Sequence, residues 1–209
     1  MVSQENIYEI PQGLPAPQDD GACDHLPGMR LPSVSLMSTT GDPVDVSTLQ
    51  GTTVVYCYPL TGSPDQDLPA GWDDIPGARG CTPQSCAFRD HHAELGELGA
   101  RVFGLSTQDS AYQREAAERL RLPFPLLSDE KLEFAGALGL PTFEAEGMTL
   151  IKRLTLIVEN GEIVKVFYPV FPPGRNAEDV LGWLSERTAS SRGRVDEPRR
   201  DRELAREAG

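Results

Sequence analysis

Apolar and polar residues alternate with two periods along the middle of the chain. TTVVYCYP (52–59) is β-branched and aromatic and stops at a proline, and ARVFGLST (100–107) has the same character, so both predict buried strands. Between them, QSCAFRDHHAELGELGA (84–100) places Phe88, Leu95 and Leu98 at near-helical spacing. A second helix is predicted from Asp109 to Leu122, opened by Asp109 or Ser110 as N-cap and closed before Pro123. FPLLSD predicts a short strand. Asp129 then caps a short helix in KLEFAGALGL, ended near Gly139 and Pro141. RLTLIVENGEIVKVFYP (153–169) predicts a hairpin whose Asn160-Gly161 pair supplies the positive φ angles of a tight turn. A last helix, Asn176 to Arg187, carries Val180, Leu181 and Leu184 on one face. The order β-α-β-α-β-α-β-β-α predicts an α/β fold with a mixed central sheet and helices on both faces.

Three segments lack this periodicity. Residues 1–27, rich in Pro, Gln, Asp and Gly, read as an extended or mobile N-terminal arm. Residues 188–209 carry six Arg against five Asp or Glu and almost no large apolar side chain, which predicts a polar C-terminal tail or a frayed helix. The domain is therefore expected over 28–187. Inside it, residues 60–80 (LTGSPDQDLPAGWDDIPGARG) form a long loop that runs directly into a cysteine, and loops of that length in a compact domain are usually functional or mobile.

Composition narrows the function classes. The 209 residues suffice for one domain with a core of its own. A net charge of −13 argues against general affinity for nucleic acid or anionic membranes. No apolar run approaches a membrane span, and MVSQENIYEIPQG lacks the basic and apolar regions of a signal peptide, so a cytoplasmic location is expected. There, paired cysteines point to redox chemistry or metal more often than to a structural bridge.

The candidate chemistry centres on GARGCTPQSCAFRD (77–90). Cys81 follows a strand and a loop, and Pro83 suits a first helical turn, which predicts Thr82 as N-cap. A helix N-terminus favours a thiolate, and Arg79 and Arg89 add positive charge nearby, the setting of a nucleophilic cysteine. Cys86 follows five residues later in the same helix. Cys57, mid-strand, reads as core, and Cys23 lies in the arm with no role read for it beyond that of an additional thiol. His91 and His92 extend the two cysteines to a Cys-x4-Cys-x4-His-His set. Steps of five turn about 140° on a helix, so these ligands share no face and no metal is expected.

These residues resemble the thioredoxin-like peroxiredoxins, in particular the PrxQ or bacterioferritin comigratory protein subfamily. Its Gly-Cys-Thr-x-x-x-Cys-x-Phe-Arg-Asp signature stands here as Gly80-Cys81-Thr82-Pro83-Gln84-Ser85-Cys86-Ala87-Phe88-Arg89-Asp90. The stretch from LPGMRLPSVSL to TTVVYCYP looks like the family's opening hairpin and first core strand. GLSTQDSAYQREAAERLRLPFPLLSDEKLEFAGALGL looks like its next unit, and RLTLIVENGEIVKVFYPV with EDVLGWL like its closing hairpin and helix, so about 160 residues from Leu26 to Leu184 follow the pattern. The resemblance implies a thioredoxin-like fold and a thiol-dependent peroxidase acting on hydrogen peroxide or alkyl hydroperoxides. Cys81 would be the peroxidatic cysteine, Cys86 the resolving cysteine that closes an intramolecular disulfide, and Arg153 the active-site arginine. A thioredoxin-type dithiol would re-reduce the protein as a monomer or weak dimer, with no metal, haem or flavin. Alternatives are a thioredoxin-like protein disulfide reductase, against which the Cys-x4-Cys spacing speaks, and a redox sensor with weak turnover. The chain departs from the family in one place. The proline seven residues and the threonine or serine three residues before the peroxidatic cysteine are here Asp74 and Ala78. Tyr58-Pro59 matches the start of that motif before the insertion intervenes, and Thr61 and Ser63 are the candidates to return the missing hydroxyl.

Overall fold

A computed structural model describes residue 11 and residues 13–64 and 66–195. The remainder of the expected arm and tail, residues 1–10, 12 and 196–209, lies outside the described residues. In chain order the elements are β1 (Leu36–Ser38), β2 (Pro43–Val44), β3 (Thr52–Cys57), α1 (Cys81–Asp90), α2 (His92–Glu97), β4 (Ala100–Ser106), α3 (Ser110–Leu120), β5 (Leu126–Ser128), α4 (Glu133–Leu138), β6 (Thr142–Ala145), β7 (Met148–Ile151), β8 (Leu154–Glu159), β9 (Glu162–Phe167) and α5 (Asn176–Val195). Seven strands form a mixed sheet in the order β2-β1-β5-β4-β3-β8-β9, and β6 and β7 pair separately. Within it β3 runs parallel to β4 and antiparallel to β8.

The strand alternation sorts side chains to two buried faces. Val55 and Cys57 of β3 pack with Leu154, Leu156 and Val158 of β8 under α4. Val54, Tyr56 and Tyr58 point the other way, onto Ile157 and the apolar faces of α1, α2 and α5. Both faces are covered by helices, as the continuous apolar character of 52–59 requires.

Caps set the helix starts. The Asp109 carboxylate accepts from Tyr112 N at 2.8 Å, which makes Asp109 the N-cap of α3. Asp129 accepts from Phe134 N at 3.0 Å and Ala135 N at 2.8 Å, tying α4 to the end of β5. The single helix expected over 84–100 is two, since the chain leaves helical geometry at His91 (φ −97°, ψ 8°). The N-cap of α1 is Gly80 at φ 106°, not Thr82, which sits one residue inside the helix. The β6–β7 hairpin was not expected at all. Its tight Glu146-Gly147 turn has φ 47° and 77°, and its strands serve a local purpose described below.

Two segment limits differ from the expected ones. Part of the arm is packed: Cys23 and Leu26 are buried in the core beneath α4. Above them Asp20 accepts from Lys152 Nζ and from Tyr168 Oη, both at 2.8 Å, and these two partners hold its carboxyl down at about 2. At the other end, α5 continues past Arg187 to Val195.

One glycine positions the helix that matters most. A Cβ at Gly104 of β4 would lie 2.5 Å from Leu126 Cδ2 and 2.7 Å from the Tyr56 ring. Tyr56 needs that space: it stacks on Phe88 of α1 with centroids 4.5 Å apart and donates to Ser85 Oγ at 3.1 Å. Gly104→Ala should therefore cost about 1–3 kcal/mol by overpacking. Gly136→Ala in α4, where a Cβ meets nothing within 4 Å, should be neutral or stabilising by up to about 1 kcal/mol. Urea unfolding of the two variants checks the contrast, and equal midpoints would refute the packing argument.

Candidate active site

The site lies where β3 ends and β8 begins. The antiparallel register sets Cys57 opposite Leu154, which brings the residue before β8, Arg153, beside the chain leaving β3. Thr155 follows Arg153 by two residues and so points to the same face of the sheet, the face covered by α1 and α5.

The inserted segment does not lie loose over this place. Its Trp72, within a 3₁₀ turn at Trp72–Asp74, and its Ala78 are buried against Ala145 of β6 and Leu150 of β7. The Trp72 ring tilts against Phe143 with centroids 6.0 Å apart, and Ala70 N donates to Glu146 Oε1 at 3.0 Å. The β6–β7 hairpin thus gives the insertion a small core of its own. The far end of the segment, Gly77 to Gly80, is delivered to the start of α1 in a fixed conformation.

Arg153 receives it. Arg153 is 3% exposed. Its Nε donates to Gly77 O at 3.2 Å, and Nη2 donates to Ala78 O at 3.0 Å and Arg79 O at 3.3 Å. Nη1 donates to Gln84 Oε1, and Nη2 also reaches Cys81 Sγ at 3.0 Å. The Cys81 side chain is buried too, with Ala78 O 3.7 Å from its sulfur. Gln84 Nε2 donates to Asn176 Oδ1 at 2.9 Å, and Thr155 Oγ1 donates to the same oxygen at 2.7 Å. Among the described residues no carboxylate contacts this guanidinium, so the sulfur is the partner best able to carry a counter-charge.

The other expected contributors lie elsewhere. Arg79 pairs with Asp73 at 2.8 Å, closing the turn of the insertion, and Arg89 pairs with Asp90 at 2.8 Å and donates to Leu120 O. Burial pushes the half-buried Cys86 thiol up, and the positive charge of Arg89 offsets this only in part. The Thr61 hydroxyl donates to Gln108 Oε1 at 3.0 Å, so it is engaged away from the sulfur, and what faces Cys81 from three residues upstream is the carbonyl of Ala78. His91 contacts Glu94, and the His92 ring lies against Phe124. Gln84, Asn176 and Thr155 were not singled out from sequence. The spacings Cys81-x-x-Gln84 and Arg153-x-Thr155 put each polar residue on its neighbour's face, a signal that could have found them. Asn176, the first residue of α5, carries no such signal.

A buried cysteine opening a helix after a β-strand, held against an arginine from the next antiparallel strand, makes a thiol redox centre on an α/β sheet. The chain belongs to the Redoxin family, whose model matches residues 26–181, and within it to the peroxiredoxin Q, or bacterioferritin comigratory protein, group with its thioredoxin-like fold. It is similar to chloroplastic peroxiredoxin Q of Populus jackii, 33% identical over 159 residues that are 75% of this chain and 67% of the relative. The likeness to chloroplastic peroxiredoxin Q of Sedum lineare is also 33% over 159 residues, 75% of this chain and 76% of that one. Among solved structures, peroxidoxin BcpB of Mycobacterium tuberculosis superposes with a TM-score of 0.64 at 27% identity, covering 78% of this chain and 98% of that one. Peroxiredoxin Q of Xanthomonas campestris shares the fold with a TM-score of 0.59 at 20% identity over 76% of this chain and 96% of that one.

The four thiols differ in environment, and alkylation should report it. Burial and the acidic residues 19, 20 and 24 push Cys23 up to about 12, and burial pushes Cys57 higher still. Neither should react with iodoacetamide in the reduced native protein at pH 8, while Cys81 and Cys86 take the label and all four react in urea. Peptide mass mapping reads the result, and labelling of Cys57 before unfolding would contradict its placement in the core.

Proposed function

We propose that the protein is a thiol-dependent peroxidase for hydrogen peroxide and organic hydroperoxides, with Cys81 as the attacking thiol. The observation that carries this reading is the buried Arg153 guanidinium, 3.0 Å from Cys81 Sγ and without a carboxylate partner among the described residues. Its planar fork stabilises negative charge on sulfur and offers directed N–H groups to peroxide oxygens. In the proposed reaction the Cys81 thiolate attacks one peroxide oxygen and the O–O bond breaks. The departing oxygen takes a proton and leaves as water or alcohol, while Cys81 becomes a sulfenic acid. The Cys86 thiol then attacks that sulfur, the S–O bond breaks, water leaves and a disulfide forms. A thioredoxin-type dithiol returns the pair to thiols. Neither metal nor organic cofactor enters this reading, and it places the enzyme in the cytoplasm as a monomer or weak dimer. No described helix is long and apolar enough to cross a membrane, and the plant relatives are named as chloroplastic.

The disulfide step requires motion. Five residues along a helix separate Cα atoms by about 8.6 Å, while a disulfide needs them within about 7 Å. The start of α1 must therefore unwind, releasing Gln84 from Arg153 and Asn176. A sensor with weak turnover is the second reading, favoured by one feature: a backbone carbonyl, at Ala78, stands where the family places a hydroxyl.

Consumption of NADPH through thioredoxin and its reductase, with peroxide varied, separates these readings. Cys81→Ser should lose turnover completely. Cys86→Ser should consume one equivalent of peroxide and stop as a sulfenic or overoxidised species visible by intact mass. On oxidation of the wild type, hydrogen exchange should rise over 81–90 and stay low in β8 and β9. Full turnover by Cys81→Ser would overturn the assignment, and unchanged exchange in α1 would overturn the unwinding.

A further inference from the structure

We propose that Asn176, held by Thr155, is a positioning residue for Arg153 and thereby for peroxide reduction at Cys81; this inference rests on the reading of Cys81 and Arg153 above. The argument starts from donor polarity. A guanidinium can only donate, so Gln84 must turn its oxygen to Arg153. That leaves the Gln84 amide nitrogen facing Asn176, which must therefore present its own oxygen. The Thr155 hydroxyl then has one role towards that oxygen, to donate to it, which it does at 2.7 Å. One end of the chain of bonds dictates every orientation along it, and neither amide can flip without leaving a buried donor facing a donor.

Burial makes those orientations binding. Thr155 and Gln84 are 0% exposed, and Asn176 is 1% exposed. Water is not at hand to replace a lost partner, and an unpaired buried polar group costs more than the bond itself contributes. The three residues come from three elements: Thr155 from β8, Asn176 from the start of α5, and Gln84 from α1. Asn176 Oδ1 joins all three, as the single acceptor for two donors.

The network also divides into a part that moves in the proposed cycle and a part that does not. Gln84 and Cys81 belong to the turns of α1 that must unwind. Thr155 stands on β8, which is paired on both sides by β3 and β9, and Asn176 begins a helix whose Ala177 and Val180 are fully buried. The Thr155–Asn176 pair is thus a preset dock. When α1 re-forms, Gln84 returns to an oxygen already aimed at it, and its own oxygen is left aimed at Arg153. Without that dock only the guanidinium holds the Gln84 amide, whose nitrogen is left buried with no acceptor.

The experiment measures the second-order rate of the reduced protein with hydrogen peroxide, the rate of Cys81 alkylation by iodoacetamide, and the urea midpoint. The variants are Asn176→Ala, which removes the acceptor, Asn176→Asp, which keeps it, and Thr155→Val, which is nearly isosteric and removes one donor. Asn176→Ala should slow the peroxide reaction about tenfold or more, as expected for a lost bond supporting a charged group. Asn176→Asp should recover the rate to within a few-fold, and Thr155→Val should fall between them. A wild-type peroxide rate in folded Asn176→Ala, with only the urea midpoint lowered, would make the residue merely structural and overturn the inference. So would Asn176→Asp as slow as Asn176→Ala. If the wild type itself fails to consume peroxide, the peroxidase reading falls separately. Slower alkylation of Cys81 in Asn176→Ala would then still support the positioning role, and equal alkylation would overturn it as well.

Discussion

Keeping a guanidinium out of water is the constraint around which the candidate active site is organised. Burying an ion without a counter-ion costs several kcal/mol unless every donor finds a partner. Arg153 finds neutral partners: the carbonyls of Gly77, Ala78 and Arg79 and the Gln84 amide oxygen. These satisfy its geometry without cancelling its charge. A carboxylate in place of Gln84 would have done both, and would have left the sulfur with little to respond to. The arrangement solvates the cation with fixed dipoles and directs its remaining attraction at Cys81, which is electrostatic preorganisation in the sense that matters for charge developing on sulfur.

The sheet makes this possible by parity. On β3, alternate residues serve opposite faces, so Tyr56 and Tyr58 face α1 while Val55 and Cys57 face α4. On β8 the same alternation sends Leu154 and Leu156 under α4 and leaves Arg153, Thr155 and Ile157 on the α1 side. A one-residue slip between β3 and β8 would exchange the two sets, burying Arg153 in an apolar layer with no acceptor. The register Tyr56 with Thr155 therefore specifies the chemistry as well as the fold. Two tyrosines complete the wall. Tyr56 holds α1 through Phe88 and Ser85, and Tyr58 Oη donates to Gln113 Oε1 at 2.8 Å, fixing α3 beside it.

How legible this was from sequence varied by element, for physical reasons. β3, β4 and the β8–β9 hairpin were legible because long β-branched runs and an Asn-Gly turn speak through local chemistry alone. Asp109 and Asp129 were legible because a cap precedes the helix it serves. Residues 84–100 read as one helix because the apolar spacing continues across His91, and the break there is a matter of how α2 meets β4. The segment around Cys23 read as an arm because its composition is polar, yet it needs only Cys23 and Leu26 to join the core, with Asp20 anchored outside by Lys152 and Tyr168. The β6–β7 hairpin was illegible for a related reason. Its apolar residues face the insertion, and neither segment has a partner until both are placed. At the site, the pairing of Cys81 with Arg153 followed from family resemblance. Arg79 and Arg89, the basic residues nearest in sequence, pair instead with Asp73 and Asp90.

The insertion explains how the site can dispense with the proline and hydroxyl that the family places before this cysteine. A short loop would need such side chains to hold its shape and to face the sulfur. A segment of about twenty residues can instead be held by its own packing, here by Trp72, Ile75 and Ala78 against the β6–β7 hairpin, and can then present backbone. Carbonyls do what a hydroxyl oxygen would do towards Arg153, since both accept. They cannot do what a hydroxyl does towards a peroxide or a thiolate, since they have no proton to donate. Among the described residues the donors nearest Cys81 are those of Arg153 and the backbone N–H groups of Cys81 and Thr82 in the first turn of α1. In the proposed peroxidase, more of the demand thus falls on the orientation of one guanidinium than in a site with a hydroxyl to share it. That concentration gives the buried bonds through Gln84 to Asn176 and Thr155 their importance.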